Sequence, residues 1–184
     1  MLDYEGELVV VIGKDAKNVS EADALDYVLG YTIGNDVSAR NFQLPDVSGG
    51  QFCYAKSFDG FAPIGPAVYG TGAAPDPQAL HYITRVNGEK RQETGTDDMI
   101  WTARQIVHHL SRGTTLRKGS VIMTGTPSGE HAGLSRCMSD DQRANWSCAG
   151  VGLFLEPRGF VKHNDVVEVE LRGLGTLRNK IVFE

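Results

Sequence analysis

Leu8-Val9-Val10-Val11-Ile12 is an unbroken apolar run of mostly β-branched residues, closed by Gly13-Lys14-Asp15. β-Branched side chains lose χ1 freedom in a helix and pack well on a pleated surface. A run with no polar alternation reads as a strand buried on both faces. Such a strand needs neighbours in its sheet and a second layer over it, so the rest of the chain must supply further strands. It does so in short pieces. Val28 to Val37 mixes β-formers with two glycines and leads into a polar turn. His81 to Val86 and Glu89 to Gln92 flank Asn87-Gly88, a pair suited to a type I′ hairpin turn. Ser120 to Thr124 precedes Gly125-Thr126-Pro127-Ser128-Gly129, and Val166 to Leu171 is joined to Thr176 to Val182 through Gly173-Leu174-Gly175.

Helical signals are few. Ser20 stands ahead of Glu21-Ala22-Asp23-Ala24-Leu25 as a cap and short helix. Asp97-Asp98 open a longer one, in which Met99, Ile100, Ala103, Ile106, Val107 and Leu110 recur at helical spacing until Gly113. Residues 44–66, rich in Pro, Gly and aromatics, read as a long loop ordered by Phe52, Tyr54, Phe58 and Phe61. Residues 130–150 lack periodicity and read as a surface insertion. The expected architecture is one mainly β domain over 1–184 with a few short helices (α+β), as a barrel or a rolled sheet.

Composition narrows the function. The 184 residues carry 18 basic and 23 acidic side chains, a formal charge of −5, and no Lys/Arg cluster, so nucleic acid is not an expected partner. No apolar run approaches the roughly 18–20 residues that span a bilayer, so no membrane insertion is expected. Cys53, Cys137 and Cys148 have no zinc spacing, and their odd number favours a reducing, cytoplasmic location over a Cys137–Cys148 disulfide. The first residues run almost at once into the core strand, so the chain is expected either to begin abruptly or to lack a front segment.

The acidic residues carry the chemistry. Glu5 and Glu7 are two apart at a strand start and so project from one face. Paired carboxylates repel unless a proton or cation lies between them, and hard cations such as Mg²⁺ or Ca²⁺ take such oxygens. Asp36, where a strand gives way to a turn, can add a third. On spacing alone the pair reads first as a solvated strand edge, and Glu168 and Glu170 repeat the spacing as a solvent face. Lys56 suits either the surface or a charge-stabilising role beside a metal-bound acid. Arg40 and Gln43 can contact an acidic substrate or pair with neighbours, and Thr124 to Pro127 can present donors or form only a tight turn. His108 and His109 read as helix-surface residues.

Taken together, DYEGEL (Asp3 to Leu8), GYTIGNDVSARNFQ (Gly30 to Gln43), AKSFDGFAPIGP (Ala55 to Pro66), RVNGEKRQ (Arg85 to Gln92), HLSRGTTLRKGSVIMTGTPSG (His109 to Gly129) and NDVVEVELRGLGTLRN (Asn164 to Asn179) resemble the catalytic C-terminal domain of the fumarylacetoacetate hydrolase family, in family order. The resemblance implies a rolled β fold, a homodimer, and Mg²⁺ (or Mn²⁺ or Ca²⁺) on Glu5, Glu7 and Asp36. It further implies Lys56 and Thr126 as catalytic residues, with Arg40, Gln43, Lys56 and Thr126 at a small oxo-acid substrate. The implied chemistry is C–C bond hydrolysis or decarboxylation of a β-keto or 2-oxo acid. The alternatives are keto–enol isomerisation, or a metal-binding member of low activity with a structural role. Many members carry a histidine assisted by a glutamate ahead of the Glu-x-Glu strand, which this sequence lacks, so the identity of the base stays open. A mitochondrial location is the alternative to the cytoplasm.

Overall fold

The apolar run becomes the interior of a sheet. The computed structural model describes residues 1–127 and 150–183. In it Gly6–Ile12 (β2) pairs antiparallel with Val28–Asn35 (β3) on one side and Val121–Met123 (β8) on the other. All of β2 is buried, as expected of a strand without alternation. Ile64–Gly70 (β5) completes the order β5-β3-β2-β8.

The second sheet holds His81–Val86 (β6), Glu89–Gly95 (β7), Val166–Leu171 (β9) and Gly175–Lys180 (β10), in the order β10-β9-β6-β7. A short pair, Leu2–Asp3 (β1) with Ser38–Ala39 (β4), stands apart from both. Among the described residues neither sheet closes on itself, so the mainly β architecture is an open, layered one and no closed barrel forms.

The layers meet through alternating side chains. Leu8, Val10 and Ile12 of β2 and Tyr31 and Ile33 of β3 pack with Tyr82, Val167, Val169 and Leu171 of the second sheet. Contact is closest at Gly6, where a Cβ would lie 2.1 Å from Thr84 Oγ1 and 3.1 Å from Val169 Cγ1. The glycine between the two glutamates therefore lets the second sheet sit directly behind them. On β9, Val167, Val169 and Leu171 are buried while Glu168 and Glu170 face outward. The two acids have partners that spacing did not reveal: Arg85 at 2.8 Å from Glu170 and Arg178 at 3.3 Å from Glu168.

Several boundaries differ from expectation. The hairpin forms with Asn87 at φ 52° and Gly88 at φ 81°, the two positive values a type I′ turn requires. The long helix is shorter than its periodicity: the α-helix is Ala103–Ser111, while Thr96–Asp98 is a 3₁₀ turn. A capping box sets the start, with the Gln105 N–H donating to Thr102 Oγ1 at 3.3 Å and the Thr102 N–H to Gln105 Oε1 at 3.0 Å. Ile100 and Trp101 are exposed, so those apolar positions belong to no core stripe. The Ser20 cap serves a 3₁₀ turn, Ala24–Tyr27.

The loop 44–66 is ordered but not structureless. It holds a helical turn, Pro45–Ser48, a 3₁₀ turn, Tyr54–Lys56, and the start of β5. Gly65-Pro66 disguised that strand; proline is tolerated there because β5 is an edge. The expected insertion at 130–150 lies, but for Gly150, outside the described residues, as does the Cys137–Cys148 pairing. Cys53 is a free, exposed thiol. No described helix is long and apolar enough to cross a membrane.

The Gly6 contact is testable. Gly6→Ala should destabilise the protein by about 1–3 kcal/mol through overpacking against Thr84 and Val169. Chemical denaturation measures the loss, and an unchanged midpoint would contradict this view of the inter-sheet contact.

Candidate metal centre

Three local devices bring the acids together. Glu5 and Asp36 are clasped through their backbones: the Asp36 N–H donates to the Glu5 carbonyl at 2.8 Å, and the Glu5 N–H donates to Asn35 Oδ1 at 3.1 Å. Pairing of β1 with β4, with Asp3 opposite Ser38, then sets Arg40 beside Asp3. Glu7 lies within β2 and is fully buried, with one carboxylate oxygen accepting the Gly125 N–H at 2.9 Å. As a result Glu5, Glu7 and Asp36 each offer an oxygen within 4.8 Å of the others.

Lys56 arrives from the aromatic loop. Phe42, Tyr54, Phe58 and Phe61 form a chain of ring contacts with centroids 5.1–5.4 Å apart, and the buried Ala55 anchors the 3₁₀ turn among them. That turn places Lys56 Nζ 2.7 Å from Glu5 Oε2 and 2.5 Å from Asp36 Oδ2.

Arg40 is buried, and its fork is fully used. Nε donates to Asp3 Oδ2 at 2.9 Å, Nη1 to Gln43 Oε1 at 2.7 Å and Nη2 to Glu5 Oε1 at 2.8 Å. The Thr124 to Pro127 turn spends its donors in the same way. Thr126 Oγ1 donates to the Gly6 carbonyl at 3.0 Å and accepts from Gln92 Nε2 at 2.8 Å. Arg40, Gln43, Lys56 and Thr126 all line one cavity with the three acids. Within it Arg40 and Thr126 hold protein groups in place.

Two residues that sequence reasoning did not single out complete the frame. Asp3, fully buried, is the anchor of Arg40. Gln92, also fully buried, accepts the Gly6 N–H at 3.3 Å while donating to Thr126 and to the Pro127 carbonyl, so it ties the turn to β2. Both lie inside quoted motifs, but nothing local distinguishes them from ordinary strand polar residues. His109, read as a helix-surface residue, is exposed yet lines the cavity. His108 turns away, its Nδ1 2.7 Å from the Val19 carbonyl.

The cavity, about 900 Å³, has two characters. Its inner end is the charged cluster. Its outer wall includes Met99, Ile100, Trp101, Ile106 and Leu110. At the inner end four carboxylates (Asp3, Glu5, Glu7, Asp36) meet two cations (Arg40, Lys56), an excess of two negative charges. All-oxygen donors carrying that excess suit a hard divalent cation.

The comparisons agree with this frame. Residues 1–182 match the family described as Fumarylacetoacetate (FAA) hydrolase C-terminal. The chain belongs to the fumarylacetoacetate hydrolase family. It is similar to oxaloacetate tautomerase YisK of Bacillus subtilis, 39% identical across 98% of this chain and 52% of that protein. It is similar also to the mitochondrial oxaloacetate tautomerase fahd2 of Xenopus laevis, 38% identical across 98% of this chain and 50% of that protein. The chain thus spans about half the length of these curated relatives.

Among solved structures, a fumarylacetoacetate hydrolase from Exiguobacterium antarcticum superposes with a TM-score of 0.83 at 37% identity, covering 100% of this chain and 57% of that one. Fumarylpyruvate hydrolase from Pseudomonas aeruginosa, in complex with Mn²⁺ and pyruvate, superposes with a TM-score of 0.79 at 30% identity, covering 100% of this chain and 66% of that one.

The buried acids make stability depend on pH. Burial pushes the Glu7 carboxyl well above the usual carboxylate range, and the Glu5 and Asp36 carboxylates push the same way. Burial also raises Asp36, against the pull of Lys56. A carboxyl raised in the folded state contributes stability below its unfolded pKa and loses it as pH rises through the folded value. Without divalent metal, thermal stability should therefore fall as pH climbs from the ordinary carboxylate range upward. Glu7→Gln should flatten that fall. Thermal midpoints in chelator across pH check it, and an undiminished slope in the variant would place the effect elsewhere.

Proposed function

We propose that this chain forms the metal-dependent catalytic domain of an enzyme acting on a small 2-oxo acid, with keto–enol interconversion as its reaction. The observation that carries this reading is the Glu5–Glu7–Asp36 oxygen cluster with the Lys56 ammonium set against two of its members. The two relatives named as oxaloacetate tautomerases support it.

Glu5, Glu7 and Asp36 would hold Mg²⁺, or Mn²⁺ or Ca²⁺, and the ion would supply Lewis acidity for the oxo acid's developing enolate charge. This chain's own residues do the remainder. Lys56, within the cavity, places a positive charge where an enolate oxygen forms. Arg40 keeps Glu5 oriented, and the Gly125 N–H keeps Glu7 turned inward. Thr126 and Gln92 brace the turn that carries Gly125. Pre-set donors of this kind lower the barrier because they need no reorganisation as charge develops.

C–C bond hydrolysis is the second reading, favoured by the likeness to the fumarylpyruvate hydrolase holding Mn²⁺ and pyruvate. It shares the enolate-stabilising half of the site and additionally needs an activated water. Decarboxylation makes the same demand for enolate stabilisation and differs in the product released.

The readings separate in one assay series. Enol-oxaloacetate should convert to the keto form faster with Mg²⁺ or Mn²⁺ and enzyme than with either alone, without pyruvate release. Glu7→Ala and Asp36→Ala should remove the metal dependence, and Lys56→Ala should lower kcat by about 10²–10³-fold. Pyruvate from oxaloacetate would instead mark a decarboxylase, and cleavage of an acylpyruvate a hydrolase. Metal binding with no turnover of any of these would leave the low-activity reading.

A further inference from the structure

Asp3 is a fully buried carboxylate that touches none of the three acids of the oxygen cluster, yet both of its oxygens are committed. Oδ1 accepts the N–H of Tyr4 at 2.9 Å and of Gly152 at 2.7 Å. Oδ2 accepts the N–H of Leu153 at 3.0 Å and Arg40 Nε at 2.9 Å. Three of the donors are backbone groups, so the carboxylate is locked in place and Arg40 is locked to it.

A guanidinium is planar, so pinning Nε fixes the directions of the remaining donors. In Arg40 those donors reach Gln43 and Glu5. One oxygen of Glu5 is thus held by Arg40, and the other points toward Lys56 and the cluster. The same carboxylate anchors the 3₁₀ turn Gly152–Phe154, which brings Phe154 to the cavity wall. The joint is tight, since a Cβ on Gly152 would lie 2.5 Å from the Gly159 carbonyl oxygen and 2.9 Å from Asp3 Oδ1.

We propose that Asp3 is a positioning residue for the metal centre, acting through Arg40 to fix the orientation of Glu5 and so setting divalent-cation affinity without itself touching the ion. This rests on the assignment of Glu5, Glu7 and Asp36 as the metal ligands. Partners that hold a ligating carboxylate from behind are worth about 10–100-fold in metal affinity. An asparagine at position 3 presents an amide where a second acceptor oxygen is required, and it cannot serve all four donors.

The test is a Mn²⁺ titration, read as free Mn²⁺ by electron paramagnetic resonance, on the full chain and four variants, with thermal midpoints taken in chelator. Asp3→Asn should weaken Mn²⁺ binding by about 10–100-fold. Tyr4→Phe removes the bond from the Tyr4 hydroxyl to the Gly150 carbonyl, 2.7 Å, and so loosens the same joint without touching Arg40. It should lower the thermal midpoint and leave Mn²⁺ affinity unchanged. Should Asp3→Asn not fold, Arg40→Lys serves, because a single ammonium cannot hold the three acceptors in the geometry of a guanidinium fork. It should show the same loss of affinity. Native affinity in Asp3→Asn or Arg40→Lys, or an equal loss in Tyr4→Phe, overturns the proposal. Glu7→Gln separates the two levels. Weakened binding there with native affinity in Asp3→Asn rejects the positioning role alone. Native binding in Glu7→Gln rejects the metal reading, and this inference with it.

Discussion

Arg40 is the hinge of the buried electrostatics. Its guanidinium lies almost wholly out of solvent and bonds Asp3, Gln43 and Glu5 at 2.7–2.9 Å. An ionised group in such a place survives only when it is paired and its hydrogen bonds are filled. Arg40 meets both conditions, and in doing so it meets them for Asp3 and for half of Glu5. Removing it would strand two carboxylates beside a third and a fourth. The β1–β4 pairing, the turn after β3 and the 3₁₀ turn at Gly152–Phe154 all converge on this one side chain, although they are far apart in the chain.

The apolar architecture explains why the cluster can be held so tightly. Gly6 brings the second sheet against the back of β2 at the point where Glu5 and Glu7 emerge, so the floor of the site is two layers of sheet. Groups that must sit within a few tenths of an ångström of a working geometry are best mounted on such elements. The cost is visible in the same place. Glu7 is a buried carboxyl with two carboxylate neighbours, a local conflict that a protein keeps only where chemistry uses it. A divalent cation resolves that conflict, and the all-oxygen donor set matches such an ion in kind and in charge.

Much of this was legible before any coordinates. The buried strand, the Asn87-Gly88 hairpin and the outward Glu168–Glu170 face follow from period-two patterning and turn chemistry. The three acids and Lys56 were nameable because they stand in ordered motifs. Spacing alone favoured a solvated edge for Glu5 and Glu7, since nothing in a Glu-x-Glu pair tells whether the face it occupies is covered. The strand Ile64–Gly70 was hidden by Gly65-Pro66 and by its mostly exposed pattern, both consequences of its edge position. The helix periodicity ran too far because Met99, Ile100 and Trp101 are apolar for the sake of the cavity.

The amino-acid sequence on its own settled what depends on near neighbours. These are the strands and their turns, the glycine that must lie between two glutamates, and the residue types able to bind a hard cation or steady an enolate. Folding settled what depends on distant ones. Asp3 became an anchor only when Gly152 and Leu153 turned their N–H groups onto it, and Gln92 became a brace only when β7 came up beside the Thr126 turn. Arg40 and Thr126, read as substrate contacts, proved to have their donors taken by the protein itself. Hydrogen bonds between residues so far apart in the chain leave no trace in local composition or periodicity. The chemistry of the site was therefore written in the residues, and its geometry in the way two sheets met.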